Sequence, residues 1–415
     1  MMDLKLRKIV GWFSVFIFLG AFLFVGLAQA AGAPTTIPVG GSPSGLAVTP
    51  DGKYVYVSNG EDVAVIDTAS SKVVARVAVG GWPSSGVAVS PSGEYVYALN
   101  RGRYVESVSV INVTTNKVVS TIMLGSYPAD VVVSPNGQYV YVLTSAILET
   151  DELYYGYPVE KAFGVVSVID ASTNSVLSNT TVGVYAINSL AMSPDGKHLY
   201  VPGEGLLYVV DSSLKTETVS IKITDESDYL KDVGVSLDGK YVYVLGNEAV
   251  FVVSTKSKAV VATVPGFGIP TGLAVSPDGK YVYVTEALNN VVSAINTSTY
   301  CVDFSVDAGR SPQGVAVSPD GGCLYVFNSY VGSSDGKVSV VKLDSSVGFL
   351  GVERDSFGMW WLLVVGVCVI VVSVIVFLLV MRIKRKLNPS VLVDSDVNNN
   401  ALIKPMLFSL CCVFV

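Results

Sequence analysis

One short run recurs seven times. Thr49-Pro50-Asp51-Gly52 is followed by Ser90-Pro91-Ser92-Gly93, Ser134-Pro135-Asn136-Gly137 and Ser193-Pro194-Asp195-Gly196, then by Ser236-Leu237-Asp238-Gly239, Ser276-Pro277-Asp278-Gly279 and Ser318-Pro319-Asp320-Gly321. Their second positions are spaced by 41, 44, 59, 43, 40 and 42 residues, so one unit carries an insertion. A period of this length marks a unit that cannot bury its own apolar face and must stack on copies of itself. Each run reads as a tight turn, with Pro presetting φ and Gly supplying the positive φ that follows.

Every unit reads as four strands. A small-residue strand such as Gly45-Leu46-Ala47-Val48 precedes the turn, and a Tyr-Val-Tyr-Val strand such as 54–57 follows it. Strands like Val63 to Asp67 and Val73 to Val79 complete the unit. Small residues suit a crowded axis, and strands apolar on both faces suit a position between two neighbouring sheets. Four short strands repeated radially predict propeller blades. After the seventh turn only one further strand appears, 337–343, and the segment 35–40 matches the missing one. The expected fold class is therefore all-β: a seven-bladed β-propeller of four-stranded blades closed by an N-terminal strand, plus one C-terminal transmembrane helix.

Tyr-Val-Tyr-Val after Pro-Asp-Gly-Lys, with Val65-Ile66-Asp67-Thr68 and Val77-Ala78-Val79-Gly80-Gly81, resembles the YVTN β-propeller repeat over residues 34–345. The resemblance implies kinship with archaeal surface-layer and cell-surface proteins and bacterial periplasmic propellers. It says much about fold and little about activity, since one fold hosts many functions.

The two ends predict where the chain resides. Lys5, Arg7 and Lys8 precede an apolar run from Ile9 to Leu27 and the small-x-small tripeptide Ala28-Gln29-Ala30, the parts of a secretory signal cleaved after Ala30. An uncleaved anchor would leave the following residues on the same side. Trp360 to Met381 holds no charge and would rise ~33 Å as a helix, enough to span a bilayer. Arg382, Lys384, Arg385 and Lys386 follow it, so the positive-inside rule puts the tail in the cytoplasm. The expected organisation is signal 1–30, extracellular propeller 31–345, linker 346–359, a single membrane span 360–381 and cytoplasmic tail 382–415.

Composition narrows the chemistry. A formal net charge of -7 argues against nucleic acid as a partner. The single histidine, His198, replaces the first Tyr of a repeat strand and is read as a packing position. Relatives implied by the resemblance include lactonases, a streptogramin lyase and copper or haem reductases. One histidine and no Cys-x-x-Cys-His run cannot supply their copper or haem sites, so neither cofactor nor metal is expected. The repeated Asp residues at 51, 195, 238, 278 and 320 are accounted for as turn formers.

The loops before each first strand and between second and third strands share one face of a propeller. That face carries Trp82, Tyr127 and Tyr185. It also carries the third-blade insertion, 145–163, with Glu149, Asp151, Glu152, Tyr154, Tyr155 and Tyr157. Aromatic rings beside carboxylates on a rigid scaffold suit a sugar, peptide or cation. The alternative is that these rings merely cap the loop layer. The expected function is a non-catalytic surface module binding an extracellular glycan, peptide or other surface protein, or forming a lattice. The competing class is a lactonase- or lyase-type enzyme, which convergent carboxylates around the channel would favour. Cys301 and Cys323 lie on the same side of adjacent blades and are expected to form a disulfide. Sequons at Asn112, Asn179 and Asn296 are expected near turns after third strands, open to glycosylation.

Overall fold

The computed structural model describes residues 34–343, except 61, 103–105, 155–156, 187, 214–218, 225–227 and 330–334. The expected signal, linker, membrane span and tail lie outside the described residues. Among those described, no helix is long and apolar enough to cross a membrane.

The repeat folds as its period dictates. Seven four-stranded antiparallel sheets follow one another, each built from consecutive strands except the last. Blade 1 comprises Gly45–Val48, Tyr54–Ser58, Val63–Asp67 and Lys72–Val77. Blades 2 to 6 open at Trp82, Tyr127, Ala191, Asp232 and Pro270. Blade 7 contains Pro312–Val317, Cys323–Asn328 and Lys337–Lys342, and its outermost strand is Thr35–Pro38 from the start of the chain. Thr35 pairs with Val340 and Pro38 with Lys337, so the N-terminal strand closes the ring as expected. Closure leaves no open interface between first and last blades.

Packing explains why the second strands are apolar on both faces. Each of seven hydrophobic clusters contains residues of two adjacent blades and one buried tyrosine from a second strand: Tyr56, Tyr97, Tyr141, Tyr200, Tyr243, Tyr283 and Tyr325. Burial pushes Tyr56, Tyr243, Tyr283 and Tyr325 up to about 12. Two of these rings also bond across the seam. Tyr56 donates to Asn116 Oδ1 at 2.8 Å and Tyr141 to the Ser212 carbonyl at 3.1 Å.

The seven turns form one rim. In blade 5 the Ser236 hydroxyl donates to Asp238 at 2.7 Å and accepts the Tyr241 N–H at 3.0 Å; blades 1, 4, 6 and 7 repeat both bonds. The turn glycines all have positive φ, from 68° to 74°. A methyl placed on Gly93 would lie 3.6 Å from Pro50 Cδ, and one on Gly137 3.7 Å from Pro91 Cδ, so each turn abuts the preceding blade's proline. The series breaks once. Leu237 stands where proline is otherwise found, and a methyl on Gly279 of the next blade would meet nothing within 4 Å.

Two expectations need correcting, and one is replaced. Cys301 and Cys323 are both free thiols. They share the turn rim, but Cys323 packs with Tyr325 into the cluster facing blade 1, whereas Leu324 and Val326 pack against blade 6, the blade that carries Cys301. The period-2 alternation of a strand thus turns the Cys323 thiol away from its supposed partner. Burial raises its pKa. Asn179 lies within the outer strand Ser175–Val184, paired with Ser167, and not at a turn; the lengthened third blade shifts it. The insertion is no loop. It prolongs two strands into a hairpin, Tyr139–Tyr154 against Tyr157–Asp170, with an irregularity between Glu149 and Leu153.

Candidate functional site

Antiparallel alternation puts the ends of second and fourth strands on the rim opposite the turns. Trp82 and Tyr127 open the inner strands of blades 2 and 3 there, and Tyr185 follows the outer strand of blade 3. Tyr154 and Tyr157 pair at the tip of the long hairpin, while Tyr155 lies outside the described residues.

Tyr127 is 52% exposed, and the Arg101 guanidinium stands 5.8 Å from its ring centroid. Tyr185, half-buried, meets Tyr229 edge-to-face with centroids 6.2 Å apart and planes at 73°. Tyr229 precedes the inner strand of blade 5 and is 45% exposed. Further round, Ile269 and Leu288 are 55% and 66% exposed. Ile269 also has φ of 55°, a left-handed conformation that costs a β-branched residue energy and is found at functional loops. The rim therefore presents apolar groups along blades 3 to 6. Tyr229, Ile269 and Leu288 were not picked out from sequence, although Tyr229 and Ile269 stand seven residues before their turn's Ser, the same offset as Tyr127.

Beneath the exposed groups lies a polar layer. The residue five places beyond each second strand's first residue is Asn59, Asn100, Thr144, Gly203, Gly246, Glu286 or Asn328. Glu286 is buried and fully engaged: Gly268 N–H donates to it at 2.8 Å, Asn289 Nδ2 at 2.6 Å, and the Ser293 hydroxyl closely. Asn59 holds the loop after it through Asp62 and reaches the Val39 carbonyl at 3.0 Å. These groups brace the loops from below, since buried polar groups need partners.

The inner strands surround the axis and touch one another in succession. Four residues before each turn's Ser or Thr, this wall reads Gly45, Gly86, Asp130, Ser189, Asp232, Gly272 and Gly314. Three consecutive blades thus carry polar side chains where four carry none. Ser189 Oγ lies 2.7 Å from Asp232 Oδ1 and 3.2 Å from Asp130 Oδ2. Burial pushes Asp130 up to about 7, and the nearby Asp232 charge adds to this. Asp232 is raised too, by burial. The sequence signal was available: the glycine at a fixed offset from the turn is replaced in blades 3, 4 and 5.

His198 begins the second strand of blade 4 on the turn rim, with its N–H bonded to Ser193 Oγ at 2.9 Å, but its side chain is exposed at the strand's first position and not packed as expected. Among the described residues no group of three or more His, Cys, Asp or Glu is placed to hold a metal ion.

No family model matches the chain, and no curated protein matches it. Solved structures do. The chain is similar to a hydrazine synthase structure from Kuenenia stuttgartiensis, at 23% identity and a TM-score of 0.62, with 76% of this chain and 98% of that one covered. It is also similar to the β-propeller domain of Cps50 (Swd1) from Myceliophteria thermophila, at 12% identity and a TM-score of 0.57, with 73% and 97% covered. At such identities the likeness is one of fold alone. By fold, the chain is a seven-bladed β-propeller.

Proposed function

We propose that this chain is a non-catalytic cell-surface protein of the YVTN-repeat type, whose propeller holds an extracellular peptide or glycan on the rim opposite its turns. The observation that carries the reading is the run of exposed apolar side chains, Tyr127, Tyr229, Ile269 and Leu288, on that rim. Rigid aromatic groups give contact area at little entropic cost. The turn rim offers no equivalent: its exposed groups include the paired ions Lys53–Asp51, Lys240–Asp238 and Lys280–Asp278. Both ends of the propeller also leave on the turn rim, since Lys342 pairs with Cys323 and Thr35 with Val340. The two ends of the propeller are thus on the rim opposite the apolar run. The test is binding of the purified full-length chain to peptide and glycan arrays, alongside a Tyr127→Ala, Tyr229→Ala variant. A loss of at least about tenfold is expected, roughly 1.4 kcal/mol. Unchanged binding by that variant would refute the assignment of the rim.

One observation favours a lactonase- or lyase-type enzyme, namely the convergence of Asp130 and Asp232 on the channel wall. Their oxygens are already engaged by main-chain N–H groups of Val131, Leu190, Val233 and Leu273, which favours a bracing role. Lactone hydrolysis that disappears in Asp130→Asn would reverse the choice.

A further inference from the structure

The polar patch on the channel wall has a proton to place. Val131 and Leu190 donate their N–H groups to Asp130 Oδ1 and Oδ2, both at 2.8 Å. Val233 and Leu273 do the same for Asp232, again at 2.8 Å. Leu190 belongs to blade 4 and Leu273 to blade 6, so each carboxylate reaches sideways into the next blade. Between the two acids stands Ser189, whose hydroxyl touches both. A hydroxyl has one proton to donate. With both acids ionised, either Asp130 or Asp232 faces a bare oxygen across a hydrogen-bonding distance. A proton on Asp130 removes the conflict: Asp130 O–H donates to Ser189 Oγ, and Ser189 O–H donates to Asp232.

We infer that Asp130 and Asp232 hold one proton between them through Ser189, and that this chain is a pH-sensitive clamp joining blades 3, 4 and 5. Among the described residues, the surrounding groups offer no competing neutralisation. From blade 2, Arg101 is directed at the Tyr127 ring. Within blade 3, Tyr141 is bonded to the Ser212 carbonyl, and its neighbour Tyr139 stacks near it at 6.5 Å. In blade 4, His198 sits on the opposite rim and Tyr200 packs between blades 4 and 5. Beside Asp232, Lys231 donates to the Pro270 carbonyl at 3.1 Å, and in blade 5 Tyr243 is buried towards blade 6. Blade 6 contributes only the Leu273 N–H.

The sign follows from the native and unfolded values. Asp130 rises from 3.8 to about 7 on folding, so between those values the folded chain keeps a proton that the unfolded chain releases. The stabilisation from this proton is present below 3.8 and is lost as pH rises through about 7. The clamp lies three residues after Tyr127, four after Tyr185 and three after Tyr229, so its state bears on the loops that carry the apolar rim.

The test uses the full-length chain. Its thermal midpoint and the infrared carbonyl band of a protonated carboxylic acid are followed from about pH 4 to about pH 8. The midpoint should fall and the band should fade together, with the band half gone near pH 7. In Asp130→Asn the band should be weaker at neutral pH and the midpoint should depend less on pH across the same range, the remaining slope coming from Asp232, which burial also raises. A wild-type chain without the band above about pH 5 would overturn the inference, as would an Asp130→Asn variant that keeps the wild-type slope. If that variant does not fold, Ser189→Ala replaces it. Removing the bridging hydroxyl should shift the pH at which the band fades, and an unmoved band would equally overturn the inference.

Discussion

The two rims of this ring are built under opposite rules. On the turn rim, blade after blade repeats one arrangement: a hydroxyl tied to an acid two residues on, and a proline lying against the next glycine. The loop rim repeats less: a proline followed by a bulge recurs in blades 2, 3, 6 and 7, but the side chains around it differ. Position by position it holds an edge-to-face tyrosine pair, a strained isoleucine, a buried glutamate, a sixteen-residue strand and an exposed leucine. The first rim is what every blade needs in order to be a blade. The second is free to vary, because the loops hang from strands already fixed elsewhere.

That contrast can be attacked at three points. The largest effect is expected on the loop rim, where divergence does not mean slack. A Cβ on Gly164 would fall 1.9 Å from the Ala186 carbonyl oxygen, a main-chain atom that cannot step aside. Gly164→Ala should cost about 3 kcal/mol or more, read as a fall in the denaturation midpoint; tolerance there would show the hairpin root to be soft. A smaller effect is expected from the repeated rim. Ser236→Ala leaves the Tyr241 N–H without its acceptor and removes one of the donors to Asp238, which keeps the Lys240 N–H, and should cost about 1–2 kcal/mol in chemical denaturation. A loss within error would mean the turn is held by its backbone alone. The smallest change should be a gain. Leu237, 55% exposed at the proline position, leaves Gly279 uncovered, so Leu237→Pro should stabilise by about 0.4–1 kcal/mol. Destabilisation instead would show that blade 5 departs from its neighbours in backbone as well as in residue.

What could be read from sequence follows the same division. The seven turns, the two-faced Tyr-Val-Tyr-Val strands and the N-terminal closure were legible because each is repeated, and repetition is a signal that one chain contains by itself. Trp82, Tyr127 and Tyr185 were placed on their rim by the same counting. The misses came where counting by repeat was not enough. Cys323 was assigned to a rim without asking which way a period-2 strand turns it. Asn179 was aligned to a turn across an insertion that adds residues to strands and not to a loop. Asp130, Ser189 and Asp232 went unnoticed since each looks ordinary alone; only their shared offset from the turn, against four glycines, sets them apart. Tyr229 and Ile269 share Tyr127's offset of seven residues before the turn's Ser and were open to the same counting, whereas the exposure of Leu288 had to come from the fold.

The four-residue strand Thr35–Pro38 has a mechanical consequence. It lies antiparallel to Lys337–Lys342, and both free ends of the pair emerge on the turn rim, with Thr35 beside Val340. Tension applied between the two ends of the propeller would therefore load the pairing one rung at a time, peeling it like a zip instead of shearing all rungs together. Such a pull must undo the four paired rungs and the bonds of the Val39, Gly40 and Gly336 N–H groups that continue them before the seventh blade parts, after which the ring has a seam it can open along. A protein held by both ends would yield there first, at low force, while the six contiguous blades stay intact.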